Sequence, residues 1–137
     1  MEFNFRKLKV YYSALDLVEY VYETVGHFPK EEKYALGDQL RRAVVSVPSN
    51  IVEGVGRSSD KEKAHFVSMA YSSLMEVLCQ MEIAFRVNYM TEDEFRAAEQ
   101  KIESVSKMLS GLRNTFVKSL NSQPSTLNDN GCTKKIR

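Results

Sequence analysis

Apolar residues recur every three or four positions along four stretches of this chain, and each stretch predicts an amphipathic helix. The first runs from about Leu8 to Val25, with Tyr11, Ala14, Leu15, Val18, Val21, Tyr22 and Val25 as its stripe. Gly26 follows, where a left-handed C′ glycine ends a helix, and His27-Phe28-Pro29 makes a connector. The second starts near Pro29 or Lys30, since proline suits a first turn and Glu31 and Glu32 suit the positive end of the dipole. Its stripe, Leu36, Leu40, Ala43, Val44, Val47, Ile51 and Val55, passes through Pro48 without losing phase. Pro48 cannot donate to the Val44 carbonyl and its ring crowds that turn, so a kink is predicted there, with a break and a fresh helix start as the alternative. Ser49 or Asn50 is expected to satisfy backbone groups freed by the proline. Gly54 and Gly56 end the element.

The third helix opens on Ser59, with Glu62 three residues later in the spacing of a capping box. Phe66, Met69, Ala70, Ser73, Leu74, Val77, Leu78, Met81, Ala84 and Phe85 then make a wide apolar arc, with Val67, Tyr71 and Met75 as a second edge. An arc this wide predicts contact with more than one neighbour, a second subunit included. Asn88-Tyr89-Met90 turns into the fourth helix, which Thr91 and Glu94 open with a second capping box. Phe95, Ala98, Ile102, Val105, Met108 or Leu109, Leu112 and Phe116 carry it to about Leu120. Residues 121–137 are polar and aperiodic, which predicts a disordered tail. Short connectors between long helices force antiparallel neighbours, so residues 1–120 are expected to form an all-α, up-down four-helix bundle.

Length and charge narrow the picture. A chain of 137 residues suits one domain and buries enough surface to need no disulfide or metal. Its two cysteines, Cys79 in an apolar stretch and Cys132 in the tail, have no reason to meet. No secretory leader and no long apolar span is visible, so a cytoplasmic, reducing location without membrane insertion is expected. Nineteen basic and eighteen acidic residues leave a net charge of +1, and the tail carries +2 of it, so the bundle comes to −1. A near-neutral bundle lacks the overall basic footprint of many nucleic-acid binders, and any such binding must use a local patch.

The residues from Phe28 to Arg57 resemble a known family, the four-helix-bundle proteins encoded in intervening sequences of bacterial 23S ribosomal RNA genes, also labelled ribosomal proteins. FPKEEKY-L from Phe28 to Leu36, QLRRA from Gln39 to Ala43 and PSNI-EG-GR from Pro48 to Arg57 carry the likeness. The opening FRKLKVYYSALDLV and the stretch SSLMEVLCQMEIA at Ser72 to Ala84 are similar to the family's first and third helices, so the likeness spans about Phe5 to Leu120. It implies a four-helix bundle that assembles into a ring-like homopentamer. One relative, the accessory subunit of diversity-generating retroelements, resembles a basic barrel that binds nucleic acid and a reverse transcriptase; this chain departs from it in not being basic.

Candidate chemistry is sparse. Arg41 and Arg42 adjoin on the second helix and Arg57 closes it, and guanidinium forks suit phosphate. These three are the candidate contacts for structured RNA or DNA on the rim of an oligomer, with Arg6, Lys7 and Lys9 joining if the N-terminus lies nearby. Ion pairing of an arginine to Glu53 or Glu76 is the competing reading. Glu62-Lys63-Ala64-His65 has the Glu-x-x-His spacing of di-iron bundles. It has no second copy, so no metal or other cofactor is expected. Glu76 and Glu82, six residues apart, point about 120° from each other and fit salt bridges to the second helix or a partner better than paired acid–base work. Cys79 is expected to be buried. No phosphate loop, zinc cluster or nucleophile elbow is present, so an enzyme is not expected. The expected function is a self-assembling adaptor or scaffold, with nucleic-acid binding as the alternative.

Overall fold

The computed structural model describes residues 3–121. A 3-10 turn at Asn4–Lys7 precedes four long helices: α1 (Lys9–Val25), α2 (Leu36–Val55), α3 (Asp60–Arg86) and α4 (Glu92–Asn121), with a single helical turn at Lys30–Lys33 between the first two. Each long helix packs on its neighbours in sequence, and α1 also packs on α4, which closes a square. The pairs run antiparallel. Ser46 faces Ser73 and Gln39 faces Gln80 across α2 and α3, while Ser68 faces Arg113 and Phe85 faces Phe95 across α3 and α4. The predicted up-down bundle is therefore present. The predicted tail lies outside the described residues, apart from Asn121, which is the last residue of α4.

The axis of the square is filled by Leu17, Val21, Leu40, Val44, Ile51, Leu74, Met81, Ile102 and Leu109, all buried. Burial of a side chain of this size is worth roughly 1.5–3 kcal/mol, which makes this column the main stabilising feature. Leu109, and not Met108, is the fully buried member of that pair. Both helix starts read from sequence are capped. The Glu62 amide donates to Ser59 Oγ at 3.1 Å. At α4 the box is reciprocal, with Glu94 N–H donating to Thr91 Oγ1 at 3.1 Å and Thr91 N–H to Glu94 Oε1 at 2.8 Å.

Several expectations are corrected. The inward stripe of α1 is Val10, Ala14, Leu17, Val21 and Val25, whereas Tyr11, Leu15, Val18 and Tyr22 lie on an adjacent, outer stripe. Both stripes have helical spacing, and the neighbours decide which one turns inward. Gly26 closes α1 in a right-handed conformation, φ −58°, and Asn88 is the residue with positive φ among the described residues, at 67°. The second helix does not run on from Pro29: it breaks at Tyr34 and Ala35. Just past the break, Gly37 lets the end of α1 come close: a Cβ there would sit 2.7 Å from Val25 Cγ1. Arg41 secures the break by donating to the Lys33 carbonyl at 2.7 Å and pairing with Asp38.

Pro48 is buried inside α2, and the helix continues through it. The Ser49 hydroxyl donates to the Val45 carbonyl at 2.9 Å and the Asn50 amide to the Ser46 carbonyl at 2.8 Å, so the side chains serve the turn just beyond the one the proline disturbs. Gly56 is the C-cap of α2, as expected, and Gly54 is the last residue but one of the helix. A Cβ there would meet Phe66 Cβ at 2.9 Å, so glycine lets α2 and α3 approach. Cys79 is exposed, not buried, because it falls on the outer stripe of α3 with Glu76, Ile83 and Arg86, while Gln80 takes the inward place.

Candidate functional site

Two surfaces stand out: a groove on the α1–α2 face and one end of the bundle. The outer stripe of α1 and the outer side of α2 enclose an open groove of about 430 Å³, lined by Tyr11, Leu15, Val18, Val45, Pro48, Ser49 and Val52. Its lining is mostly apolar, with the Tyr11 and Ser49 side chains carrying hydroxyls, and Val45 is 40% exposed. The buried proline ring supplies part of the floor, so the residue that disturbs the helix also shapes the surface. The α2–α3 face is different. There Gln39, Arg42, Ser46, Ser73 and Glu76 line a polar recess, held by the 2.7 Å Ser46–Ser73 hydrogen bond. Gln80 lies buried beside it, reaching Glu76 at 3.4 Å with its amide nitrogen while its carbonyl oxygen has no partner among the described residues.

The antiparallel pairing sorts the charges. The proximal end holds the chain start, the α2–α3 connector and the end of α4; the distal end holds the other two connectors. The proximal half, residues 3–17, 46–73 and 107–121, has nine Lys and Arg against four Asp and Glu, a net of +5. The distal half, residues 18–45 and 74–106, has seven against twelve, a net of −5. A near-zero total thus conceals an axial charge separation, made by topology from residues far apart in sequence.

The three candidate arginines are not gathered. At 1.5 Å per residue, Arg57 lies about 24 Å along the axis from Arg41. Arg41 is half-buried on Asp38, Lys33 and the face of Tyr22, where its ring-to-guanidinium distance is 6.0 Å. Arg42 is exposed and makes no ion pair among the described residues. Arg57 pairs with Glu53 at 3.2 Å and covers the Phe66 ring at 4.6 Å. Arg57 shares the proximal end with Arg6, Lys7 and Lys9, since the 3-10 turn packs on α1 and α2.

Sequence reasoning missed the aromatic chain at that end. Phe3 and Phe5 are stacked at 6.0 Å, Phe5 meets Tyr11 edge-on at 5.0 Å, and Tyr11 meets Tyr12 at 5.2 Å. The Arg6 guanidinium lies 5.7 Å from the Phe3 ring and 5.9 Å from the Phe5 ring. The available signal was four aromatics interleaved with three bases within ten residues, from Phe3 to Tyr12.

The remaining candidates are local. Glu82 pairs with Arg86 on its own helix at 4.0 Å and Glu76 accepts from Gln80, so neither reaches a base on α2. His65 packs edge-on against Phe66. No group of three metal-ligating side chains occurs among the described residues, and no described helix is long and apolar enough to cross a membrane.

The family model of the 23S rRNA-intervening sequence protein matches residues 6–111. Among solved structures, the chain is similar to a protein of unknown function from the S23 ribosomal protein family of Bacteroides thetaiotaomicron VPI-5482. The two share 18% identity and a TM-score of 0.72, over 77% of this chain and 95% of that one, which is a likeness of fold. No curated protein matches the chain.

Proposed function

Because the chain belongs to the 23S rRNA-intervening sequence protein family, we propose that it is a non-enzymatic scaffold that works by associating with copies of itself. The observation that carries this reading is the α1–α2 groove, with its mostly apolar lining. Contiguous exposed apolar surface on a small domain marks an interface. A ring needs two different complementary faces on each protomer. For the second we look to the outer side of α3, diagonal to α1, where Met69 and Ile83 are exposed about 40° apart around the helix. Five protomers is the number the family resemblance implies.

Light scattering at micromolar concentration tests this. The expected particle is a multiple of 15.7 kDa, and Val45→Glu, which puts a charge in the groove, is expected to shift it to the single-chain mass. A wild-type protein that stays at single-chain mass removes the proposal.

A second reading, a nucleic-acid-binding accessory protein, is favoured by the +5 of the proximal half, where Arg57 lies exposed enough to reach phosphate. Binding that weakens steeply as salt rises is its signature.

A further inference from the structure

We propose that the proximal end is a platform for single-stranded nucleic acid, on which bases stack against Phe3 and Tyr12 while Arg6, Lys7, Lys9 and Lys61 hold the phosphates. This rests on the second reading above and is independent of self-association.

The rings come first. Phe3 is 53% exposed and Tyr12 is 48% exposed, at the two ends of the chain of aromatic contacts. The phenylalanines of the other end, Phe28 and Phe95, are buried, and the exposed rings of that half, Tyr22 and Tyr34, lie among net negative charge. A base offers any such ring a flat π-face regardless of sequence, and base–aromatic stacking is the usual grip on single strands. A duplex keeps its base faces hidden in its own stack, so exposed rings favour the unpaired strand.

The cations come second. Arg6, Lys7, Lys9 and Lys61 are exposed and make no ion pair among the described residues. Two of the four carboxylates of the proximal half are occupied: Glu53 pairs with Arg57 at 3.2 Å and Asp60 with Lys63 at 3.9 Å. Glu62, at the start of α3, and Asp16, on α1, are the remaining carboxylates of the proximal half. Guanidinium and ammonium groups beside stacking faces combine phosphate contact with cation–π attraction. The distal end, at net −5, repels a polyanion, so the strand is directed to one end.

The test is fluorescence anisotropy of the full chain with an oligothymidine of roughly 16 nucleotides, a duplex of equal length, and inorganic polyphosphate as competitor. The oligothymidine is expected to bind tightest. Four phosphate contacts predict about a fiftyfold loss of affinity between roughly 50 and 200 mM salt. Phe3→Leu and Tyr12→Leu keep apolar bulk without a ring; each is expected to weaken binding about tenfold with the salt slope unchanged. Arg6→Ala and Lys61→Ala are expected to flatten the slope, while Lys30→Ala and Arg86→Ala at the distal end leave binding as it was. Equal affinity for duplex or polyphosphate, or indifference to both ring substitutions, overturns the platform and leaves general nucleic-acid binding standing. Absence of binding to every probe at low salt overturns both.

Discussion

The two ends of this bundle close in opposite ways. At the distal end the phenylalanine rings go inside, while Tyr22 and Tyr34 stay exposed. Phe28, Met90 and Phe95 are buried, Phe95 stacks on Phe85 at 5.2 Å, and Phe28 meets Tyr89 at 5.6 Å. The charge around this plug is acidic, with Arg96 shared between Glu92 and Glu99 at 3.3 and 3.2 Å. At the proximal end the rings stay near the surface under cations: Arg6 over Phe3 and Phe5, Arg57 over Phe66, and Lys63 over Phe116 at 5.6 Å. Burial stabilises the fold in proportion to the apolar area removed from water, whereas an exposed cation–π contact contributes only about 0.5–1 kcal/mol. Buried phenylalanines therefore stabilise the distal end more than the exposed cation–π contacts stabilise the proximal one.

The largest expected effect separates the ends directly. Phe95→Ala should cost about 3–5 kcal/mol, a large share of the roughly 5–15 kcal/mol typical of a domain, whereas Phe3→Ala should cost under about 0.5 kcal/mol. Urea denaturation of both variants checks this, and similar midpoints would break the comparison.

Proximal exposure does not extend to the helix packing beneath it, and Gly54 sharpens that point. Gly54→Ala gains helix propensity but drives a Cβ to 2.9 Å from Phe66 Cβ, for an expected net loss of about 1–2 kcal/mol. Gly111, with nothing within 4 Å of the added Cβ, is the control. Gly111→Ala should raise stability by about 0.5–1 kcal/mol. Thermal melts that move both variants the same way would count against close α2–α3 approach.

A smaller effect concerns the start of α4 at the distal end. Thr91→Ala removes the side-chain acceptor of a reciprocal box and should cost about 1 kcal/mol, with amide exchange accelerated in the first turn of α4. Unchanged exchange there would mean that the plug, and not the cap, holds that end.

The smallest effect depends on pH. Tyr20 donates to the Glu94 carbonyl at 2.8 Å, and burial, followed by the Glu94 carboxylate, pushes its phenol above the ordinary value. The neutral phenol is the form the fold favours. Its contribution is therefore fully present below the ordinary phenol value of about 10 and is lost as pH rises through the higher folded value. Tyr20→Phe should lower neutral-pH stability by about 0.5–1 kcal/mol and flatten the decline in alkali. A decline as steep in the variant as in the wild type would move the sensitivity to another group.

Much of this was legible in the chain. Four stripes and two caps place four helices, and Ser59 and Thr91 cap where the spacing says they do. The site was less legible. Arg41, Arg42 and Arg57 are chemically suited to phosphate, and the chain shows Arg57 at the far end of its helix, but residue type alone does not show that Arg41 is engaged by Asp38 and the Lys33 carbonyl. The pairing of Arg6, Lys7 and Lys9 with Lys61 requires the antiparallel return of the chain, which no local pattern displays.

What the sequence by itself determined is the class of structure: helix periods, helix starts, connector lengths and, from them, an up-down bundle. These follow from interactions within a few residues, such as backbone capping and the 3.6-residue repeat. Only the tertiary structure decided which of two adjacent stripes on α1 turns inward. Val10, Ala14, Leu17 and Val21 fit the repeat as well as Tyr11, Leu15, Val18 and Tyr22 do. Periodicity fixes spacing along a helix but not its rotation about its own axis; packing against α2 and α4 sets that rotation. The smaller side chains of the first stripe went to the core, and the larger ones became the groove. The separation of +5 from −5 arose in the same way, because a total charge carries no position until the helices are laid side by side.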